Sequence, residues 1–570
     1  MKIFVAITLI VLIIMLIQNK YKASYLFGTL ASIYFLLDLV SYEKMMNSYT
    51  NISLLTLILL VIVSKALEKT VLLDYFSKIV IKKNYNVTFL NLGILTTISS
   101  AFLNNTAIVA GLMNTIKNNK YHLPSKLLIP LSYFSIIGGT MTLVGTSTNL
   151  LVNGFLTDMG NESLKMFDFF IVGFFIALFC SIALFLVKGL LPEYQVQSTE
   201  IEKHLIELQV SQNSSMIGKS VKENGLRSLE YLFLVEISRN NRIISPIKPD
   251  EIILANDKLV FSGDLKHINV LDKFSGLTMI DNIHVKQLTL VDSIIMPDST
   301  IIGKKVKESK FRSKFDASII SMKRGSQDIK KIGDEIIQSG DRLILAIGQD
   351  FYNRDNISKN FYLLSDIKQK EKFDISKSAF IFGGFLLSLV LAALGFISLF
   401  KSIFIYCFIL IALKIISIQE IRRVFPYELF ITIGSSLVIS KVLISSGLAD
   451  NMASFVSSIF GSYGVYGSFI GIYLLTLLLT EIITNNAAAA LSFPIAYATA
   501  AGLDVNILPF VFAVAFGASA SFMMPYGYQT NLMVNSIGGY KIKDFMKIGW
   551  IITLVYSSVV IYLVPQIYSF

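Results

Sequence analysis

The chain has 570 residues, 54% hydrophobic and 16% charged, with 50 Lys and Arg against 39 Asp and Glu and a formal charge of +11. An ordinary soluble domain carries about 25% charged residues, so neither a disordered chain nor a basic nucleic-acid arm fits. Residues 191–377 hold 28 basic and 26 acidic residues and leave only 35 charges for the other 383 positions, which is the composition of a membrane protein carrying an aqueous insert.

In chain order, apolar stretches long enough to cross about 30 Å of hydrocarbon are predicted near 2–18, 24–41, 51–67, 125–153 and 167–190, and after the insert near 377–396, 401–417, 427–446, 508–537 and 545–568. The first reads as a span, because no small-residue cleavage site follows it. Between the third and fourth span of each set lie an amphipathic stretch (69–83, then 447–460) and a polar-interrupted segment (86–117, then 463–502) that is predicted to dip in and return as a re-entrant hairpin. With both termini outside, Lys20, Lys22, Lys69, Lys82, Lys83, Arg422, Arg423, Lys541 and Lys543 fall on the inner side. That asymmetry follows the positive-inside rule and places the insert in the cytoplasm of a multi-pass cell (inner) membrane protein.

Four anchors recur in the same order in the two hydrophobic halves. Ser64-Lys65-Ala66-Leu67 matches Ser440-Lys441-Val442-Leu443, and Leu103-Asn104-Asn105-Thr106-Ala107 matches Thr484-Asn485-Asn486-Ala487-Ala488. Gly145 to Asn153 matches Gly527 to Asn535, and Lys165 to Phe169 matches Lys541 to Phe545. Five spans per half, an odd number, turn the second half upside down, which is the plan of secondary transporters. The predicted fold class is therefore an all-α polytopic membrane protein of two inverted five-span repeats, each with a re-entrant hairpin, plus a cytoplasmic α+β insert of two tandem modules. Predicted domains are 1–192 with hairpin 86–117, modules 193–284 and 285–370, and 371–570 with hairpin 463–502.

Asn104, Asn105, Thr106, Asn485 and Asn486 sit at the predicted hairpin tips. Thr146, Ser147, Thr148 and Asn149, like Gln529, Thr530 and Asn531, follow glycines or a proline that unwind the next span. Irregular backbone at membrane depth is tolerated where it lines a cavity, and a broken helix offers carbonyls to a hard cation and N–H groups to an oxyanion. These residues are the predicted substrate contacts, with no Arg or Lys among them. Glu481, in an otherwise apolar hairpin arm, is a candidate for a cation or a proton.

Within the insert, Gly218-Lys219-Ser220-Val221-Lys222-Glu223 matches Gly303-Lys304-Lys305-Val306-Lys307-Glu308. Two small modules of strands, each with one helix near that motif, are predicted, and their basic residues are candidates for a small anionic regulator. Cys180 and Cys407 form no metal or disulfide pattern, and neither a Walker sequence nor G-x-G-x-x-G follows a strand, so no enzyme constellation and no organic cofactor are expected.

The tips, the run Gly138 to Asn149 and the run Pro525 to Val534 resemble the divalent anion:sodium symporter family, and more narrowly its sulfate-permease branch; the insert resembles tandem TrkA C-terminal modules. That resemblance implies an elevator-type carrier, a homodimer in membrane lipid, that moves a small inorganic or organic dianion with Na+ as coupling ion. It implies a first sodium site on Ser100, Asn104, Asn105 and Gly145 and a second on Asn485, Asn486 and the chain near Gly527, with Glu481 added as a candidate ligand. Against the Ser-Asn-Thr pattern of the family's dicarboxylate carriers, Asn104 and Asn485 stand in place of Ser, Ala487 in place of Thr and Glu481 in place of a sodium-binding Thr. Sulfate is the expected substrate, with a dicarboxylate as alternative; a regulated channel and a non-transporting anion sensor are the rival readings.

Overall fold

The computed structural model describes residues 1–18, 21–71, 79–194, 205–226, 229, 232–240, 242–244, 247–263, 271, 273–279, 290–296, 299–325, 327–329, 332–348, 350–354, 356–364 and 373–570. Two units are distinct: Met1–Tyr194 with Lys370–Asn535 and Tyr540–Phe570, and Gln195–Gln369 with Ser536–Gly539.

The first unit is helical. Its first half comprises α1 (Lys2–Gln18), α2 (Ala23–Leu36), α3 (Tyr42–Tyr49), α4 (Ile52–Glu68), α5 (Tyr85–Ser100), α6 (Asn105–Lys117), α7 (Leu128–Gly139), α8 (Ser147–Asp158) and α9 (Phe170–Val187). After the insert, which contains the short helix α10 (Phe311–Phe315), come α11 (Ile375–Ala393), α12 (Leu399–Ala412), α13 (Ile418–Val424), α14 (Tyr427–Ser445), α15 (Leu448–Phe460), α16 (Gly464–Ile482), α17 (Asn485–Gly502), α18 (Leu508–Ser519), α19 (Gln529–Gly538) and α20 (Ile542–Ile567). The succession of elements is thus the same twice, a short helix preceding α4 and α14 and a break dividing α7 from α8 and α18 from α19. The amphipathic stretch 69–83 falls partly outside the described residues, while its counterpart is α15.

Among the described residues, six helical segments are long and apolar enough to cross a membrane: Tyr42–Glu68, Phe170–Leu190, Ile375–Ala393, Tyr427–Ser445, Gly464–Ile482 and Ile542–Ile567. Lys2–Gln18, Ala23–Leu36, Leu399–Ala412 and Leu508–Ser519 are apolar but shorter. The predicted long spans 125–153 and 508–537 are each divided, because Gly, Thr and Pro leave residues 140–146 and 520–528 non-helical.

Side-chain caps fix several helix starts. Asn51 accepts from the Ser53 N–H at 2.9 Å, Asn104 from the Thr106 N–H at 2.9 Å, and Ser417 and Glu420 form a reciprocal capping box on α13, each satisfying N–H groups that the first turn leaves unpaired. Packing exchanges partners between the halves: α2 lies on α14, and α12 on α4. Within each half the first hairpin arm packs on the helix before the break, α5 on α7 and α16 on α18, and α8 meets both α4 and α17.

The second unit contains two five-stranded sheets of one topology. Strands β1 (Leu205–Val210), β2 (Leu232–Arg239), β3 (Arg242–Ile244), β4 (Lys258–Gly263) and β5 (Leu277–Met279) take the order β3-β2-β4-β1-β5. Strands β6 (Leu290–Ile295), β7 (Ala317–Arg324), β8 (Gln327–Asp328), β9 (Arg342–Ile347) and β10 (Phe361–Leu363) give β8-β7-β9-β6-β10, and neighbouring strands in both sheets run antiparallel. The two copies share a bulge, between Leu234 and Glu236 and between Ile319 and Ser321. They also share a lock: Arg239 joins Asp257 and Glu251, as Arg324 joins Asp341 and Glu335. The helix predicted beside each Gly-Lys motif occurs as α10 in the second copy. In the first copy the described residues 212–226 run in turns with one bridge, Ser220 to Ile252.

Candidate binding site at the helix breaks

The arms α5 and α6 are joined at Ala101–Asn104, and α16 and α17 at Ile483–Thr484. Each second arm begins with an Asn that receives a hydrogen bond from a hydroxyl five residues upstream. Ser100 Oγ donates to Asn105 Oδ1 at 2.6 Å, and Thr480 Oγ1 donates to Asn485 Oδ1 at 3.1 Å. Both hydroxyls also donate to a carbonyl of the following helix, Ser135 O at 2.8 Å and Ala518 O at 2.6 Å.

This geometry corrects the pairing of the repeats by one residue. Asn104 and Thr484 are the N-cap residues of α6 and α17, so Asn105 corresponds to Asn485, Thr106 to Asn486 and Ser100 to Thr480. The sequence alignment paired Asn105 with Asn486 because two Asn-Asn dipeptides coincide, and it thereby missed Thr480. Thr484-Asn485-Asn486 is accordingly the counterpart of Asn104-Asn105-Thr106, and Ala487 and Glu481 lie one position away from the places assigned to them.

Each tip meets the break of the opposite half. Asn105 Nδ2 donates to the Tyr528 hydroxyl at 2.7 Å and Thr106 Oγ1 to Gln529 Oε1 at 3.2 Å. In the other half Ser147 Oγ and Thr148 Oγ1 approach Asn486 Oδ1 at 3.3 and 3.4 Å. Thr146 Oγ1 lies 3.4 Å from the Tyr528 hydroxyl, which links the two groups. Tyr528 is a residue that sequence reasoning missed, although it occupies the repeat position of Thr146.

The breaks are held by their own asparagines. Asn149 Nδ2 donates to Thr142 O at 2.9 Å, and Asn531 Nδ2 to Ser521 O at 2.9 Å; Ser132 Oγ meets Thr530 Oγ1 at 2.8 Å and Asn531 Oδ1 at 2.7 Å. Asn149, Thr530 and Asn531 are thus buried supports of the site, whereas exposed Asn104 caps α6. Glu481, expected as a cation ligand, accepts three backbone N–H groups across the second break, from Phe522, Met523 and Met524, each at 2.9 Å. Its carboxylate therefore works on the unwound chain itself.

Oxygen donors for a small cation occur twice in matching positions. A Cβ on Gly145 would sit 2.4 Å from the Gly139 carbonyl, and one on Gly527 would sit 2.1 Å from Ser521 Oγ and 2.6 Å from the Thr480 carbonyl. Only glycine allows that approach. Ser521 Oγ is buried without a hydrogen-bond partner, an oxygen that a cation would satisfy. Ser100, Asn105, Gly139 and Gly145 form one such cradle, and Thr480, Asn485, Ser521 and Gly527 the other; all are neutral oxygen groups of the kind that suits a hard cation. No cluster of His, Cys, Asp and Glu that could hold a metal occurs among the described residues.

A family model described as a citrate transporter matches residues 2–517. The chain belongs to the citrate transporter family. It is 28% identical over 532 residues to a Chlamydomonas reinhardtii protein named for the response to sulfur deprivation, covering 88% of this chain and 90% of that one. An uncharacterized transporter of Synechocystis is 27% identical over 567 residues, 95% of this chain and 92% of its own. Sodium/sulfate cotransporter 1 of Chlamydomonas reinhardtii is 25% identical over 380 residues, 62% of this chain and 42% of its own. This member of the citrate transporter family is therefore a multi-pass membrane transporter, and the names of its relatives point away from an enzyme.

Proposed function

We propose that the protein is an elevator-type secondary carrier that takes up a small divalent oxyanion, sulfate, together with sodium. The observation that carries this reading is the meeting of each hairpin tip with the break of the opposite half, Asn105 and Thr106 with Tyr528 and Gln529 and Asn486 with Ser147 and Thr148. Neutral N–H and hydroxyl donors at helix N-termini stabilise an anion, while the two oxygen cradles neutralise it with co-bound cations. The sodium/sulfate cotransporter names of relatives support the same pair of ions. In this reading α5–α6 and α16–α17 are re-entrant hairpins of inverted repeats, the unit works as a homodimer in the cell membrane, and the insert is cytoplasmic, made of TrkA C-terminal-like modules that bind a small anionic regulator.

The family description favours one second reading, a citrate or dicarboxylate substrate in the same site. Uptake of labelled sulfate into proteoliposomes, with and without an inward sodium gradient and with succinate and citrate as competitors, separates the two. Sodium-driven sulfate uptake that the carboxylates leave unchanged is the expected result. Sodium-driven uptake of a carboxylate alone replaces the substrate, and uptake without saturation or sodium dependence overturns the carrier.

A further inference from the structure

Helix α8 carries Ser147, Thr148 and Asn149 in its first turn, after Thr146, and ends at Asp158. Its last turns are tied to helices outside the site by three polar links. Asn51 Nδ2 donates to Gly154 O at 3.1 Å, Asn153 Nδ2 to Ser53 Oγ at 2.9 Å, and Lys441 Nζ pairs with Asp158 Oδ1 at 3.0 Å. The ion pair is partly buried, with side chains 15% and 9% exposed, and Lys441 also donates to Lys44 O and Ser48 Oγ. Leu54, Leu57, Leu150, Leu151 and Ile433 line a small gap between the tied helices. Lys441, which the sequence shows only as part of a repeat anchor, is the centre of this seam.

Among the described residues the seam has no counterpart in the other half. The matching lysine, Lys65, pairs with Glu68 on its own helix at 2.5 Å. Asn535, in the place of Asn153, has a buried Oδ1 with no hydrogen-bond partner. Tyr540, in the place of Asp158, donates to Ser125 O at 2.6 Å. Two halves built from one repeat thus differ at the contact between the site helix and its neighbours: the ion pair and the Asn153 bond of the first have no match among the described residues of the second. The tie lies where α4 begins, at the end of that helix away from Lys69, whose carbonyl accepts from Phe373 as the chain returns from the insert. One-sided closure of this kind is what a single state of an alternating-access cycle requires.

From this asymmetry we infer that Lys441 and Asp158 are positioning residues: their ion pair latches α8, and through it Thr146 to Asn149, in the present state and parts in every transport cycle. The inference rests on the carrier reading, but its first test needs no substrate. A pair this poorly exposed leaves an uncompensated charge when one side is removed, so the latch governs how often α8 leaves α14 and, beside it, α4. In protein with Cys180→Ala and Cys407→Ala, Leu54→Cys reports that separation by its labelling with a maleimide in proteoliposomes. Asp158→Asn is expected to speed labelling at least fivefold, Lys441→Gln to do the same, and the exchange Asp158→Lys with Lys441→Asp to return it to the starting rate. Unchanged labelling in both single variants overturns the latch. In sulfate uptake, the single variants are expected to change maximal rate and half-saturating concentration by different factors, and the exchange to restore both. Labelling that follows the pair in a protein that moves no anion keeps the latch and removes the carrier reading; a charge exchange that folds but labels like Asp158→Asn overturns the ion pair as its basis.

Discussion

Asn105 and Asn485 are each oriented by a hydroxyl five residues upstream, and their amides end beside the opposite half's break or within a cation cradle. Replacing either by Ala is expected to lower sodium-dependent uptake at least a hundredfold while Ser or Thr at position 486 retains a measurable fraction, because Asn486 is an acceptor to Ser147 and Thr148 and a hydroxyl also accepts. Near-normal uptake in both alanine variants would show that the site lies elsewhere. Glu481 makes a different prediction. Three N–H groups converge on its carboxylate, and an amide oxygen cannot serve both ends of that array. Glu481→Gln is therefore expected to cost about 1–3 kcal/mol for the donor left unpaired, seen as a lower unfolding temperature in detergent, with the sodium dependence of uptake kept. A changed sodium dependence at unchanged stability would restore Glu481 as a ligand.

At the scale of elements, the sheet of the first module makes a pH prediction. Glu236 on β2 and Glu207 on β1 both lie opposite Val260 of β4, from its two sides, so both carboxyls share one face, where Lys258 pairs with Glu207 at 3.4 Å. Burial first, and the Glu207 charge second, push the Glu236 carboxyl up to about 7. Its native value lies above its unfolded one, so the folded sheet holds the proton more tightly and is favoured at low pH. That contribution is lost as pH rises from the ordinary carboxylate range through about 7. Hydrogen exchange of β2 in the full-length protein is expected to show weaker protection at pH 8 than at pH 5 after correction for intrinsic rates, and Glu236→Gln to flatten the difference. The module repeat was legible in the sequence because the Gly-Lys motif recurs at matching turns, where the positive φ of Gly218 and Gly303 restricts residue choice. The breaks were legible for the same reason, since Gly, Pro and Asn mark unwound chain. The tip register was not: two adjacent asparagines allow two alignments, and only the N-cap position decides between them. Tyr528 and the Asp158–Lys441 pair were hidden as well, because contacts between residues hundreds of positions apart leave no periodic trace.

For the whole molecule, the insertion points show what the helical unit keeps if the insert is removed. The chain leaves at Glu193 and Tyr194, where Lys126 pairs with Glu193 at 2.5 Å, the Tyr194 N–H donates to Ser125 Oγ at 2.9 Å, and the Tyr194 hydroxyl donates to both Asp544 oxygens at 3.2 and 3.0 Å. It returns at Phe373, whose N–H donates to Lys69 O at 3.1 Å, followed by Asp374 capping α11. Both anchors belong to helices of the unit itself, and none of these bonds involves residues 205–350. Excision of 205–350 leaves a linker of about 30 residues, which as a flexible coil spans on the order of 30 Å. The shortened protein is expected to insert and to carry out sodium-driven anion uptake within a fewfold of the full-length rate, measured in proteoliposomes at matched protein content. Its rate is also expected to lose any response to small anions added on the insert side. Because α7, which starts beside Ser125, carries Ser132 and Ser135 to the site, a shortened protein that inserts yet fails to transport would mean that the modules act through this anchor on the site itself.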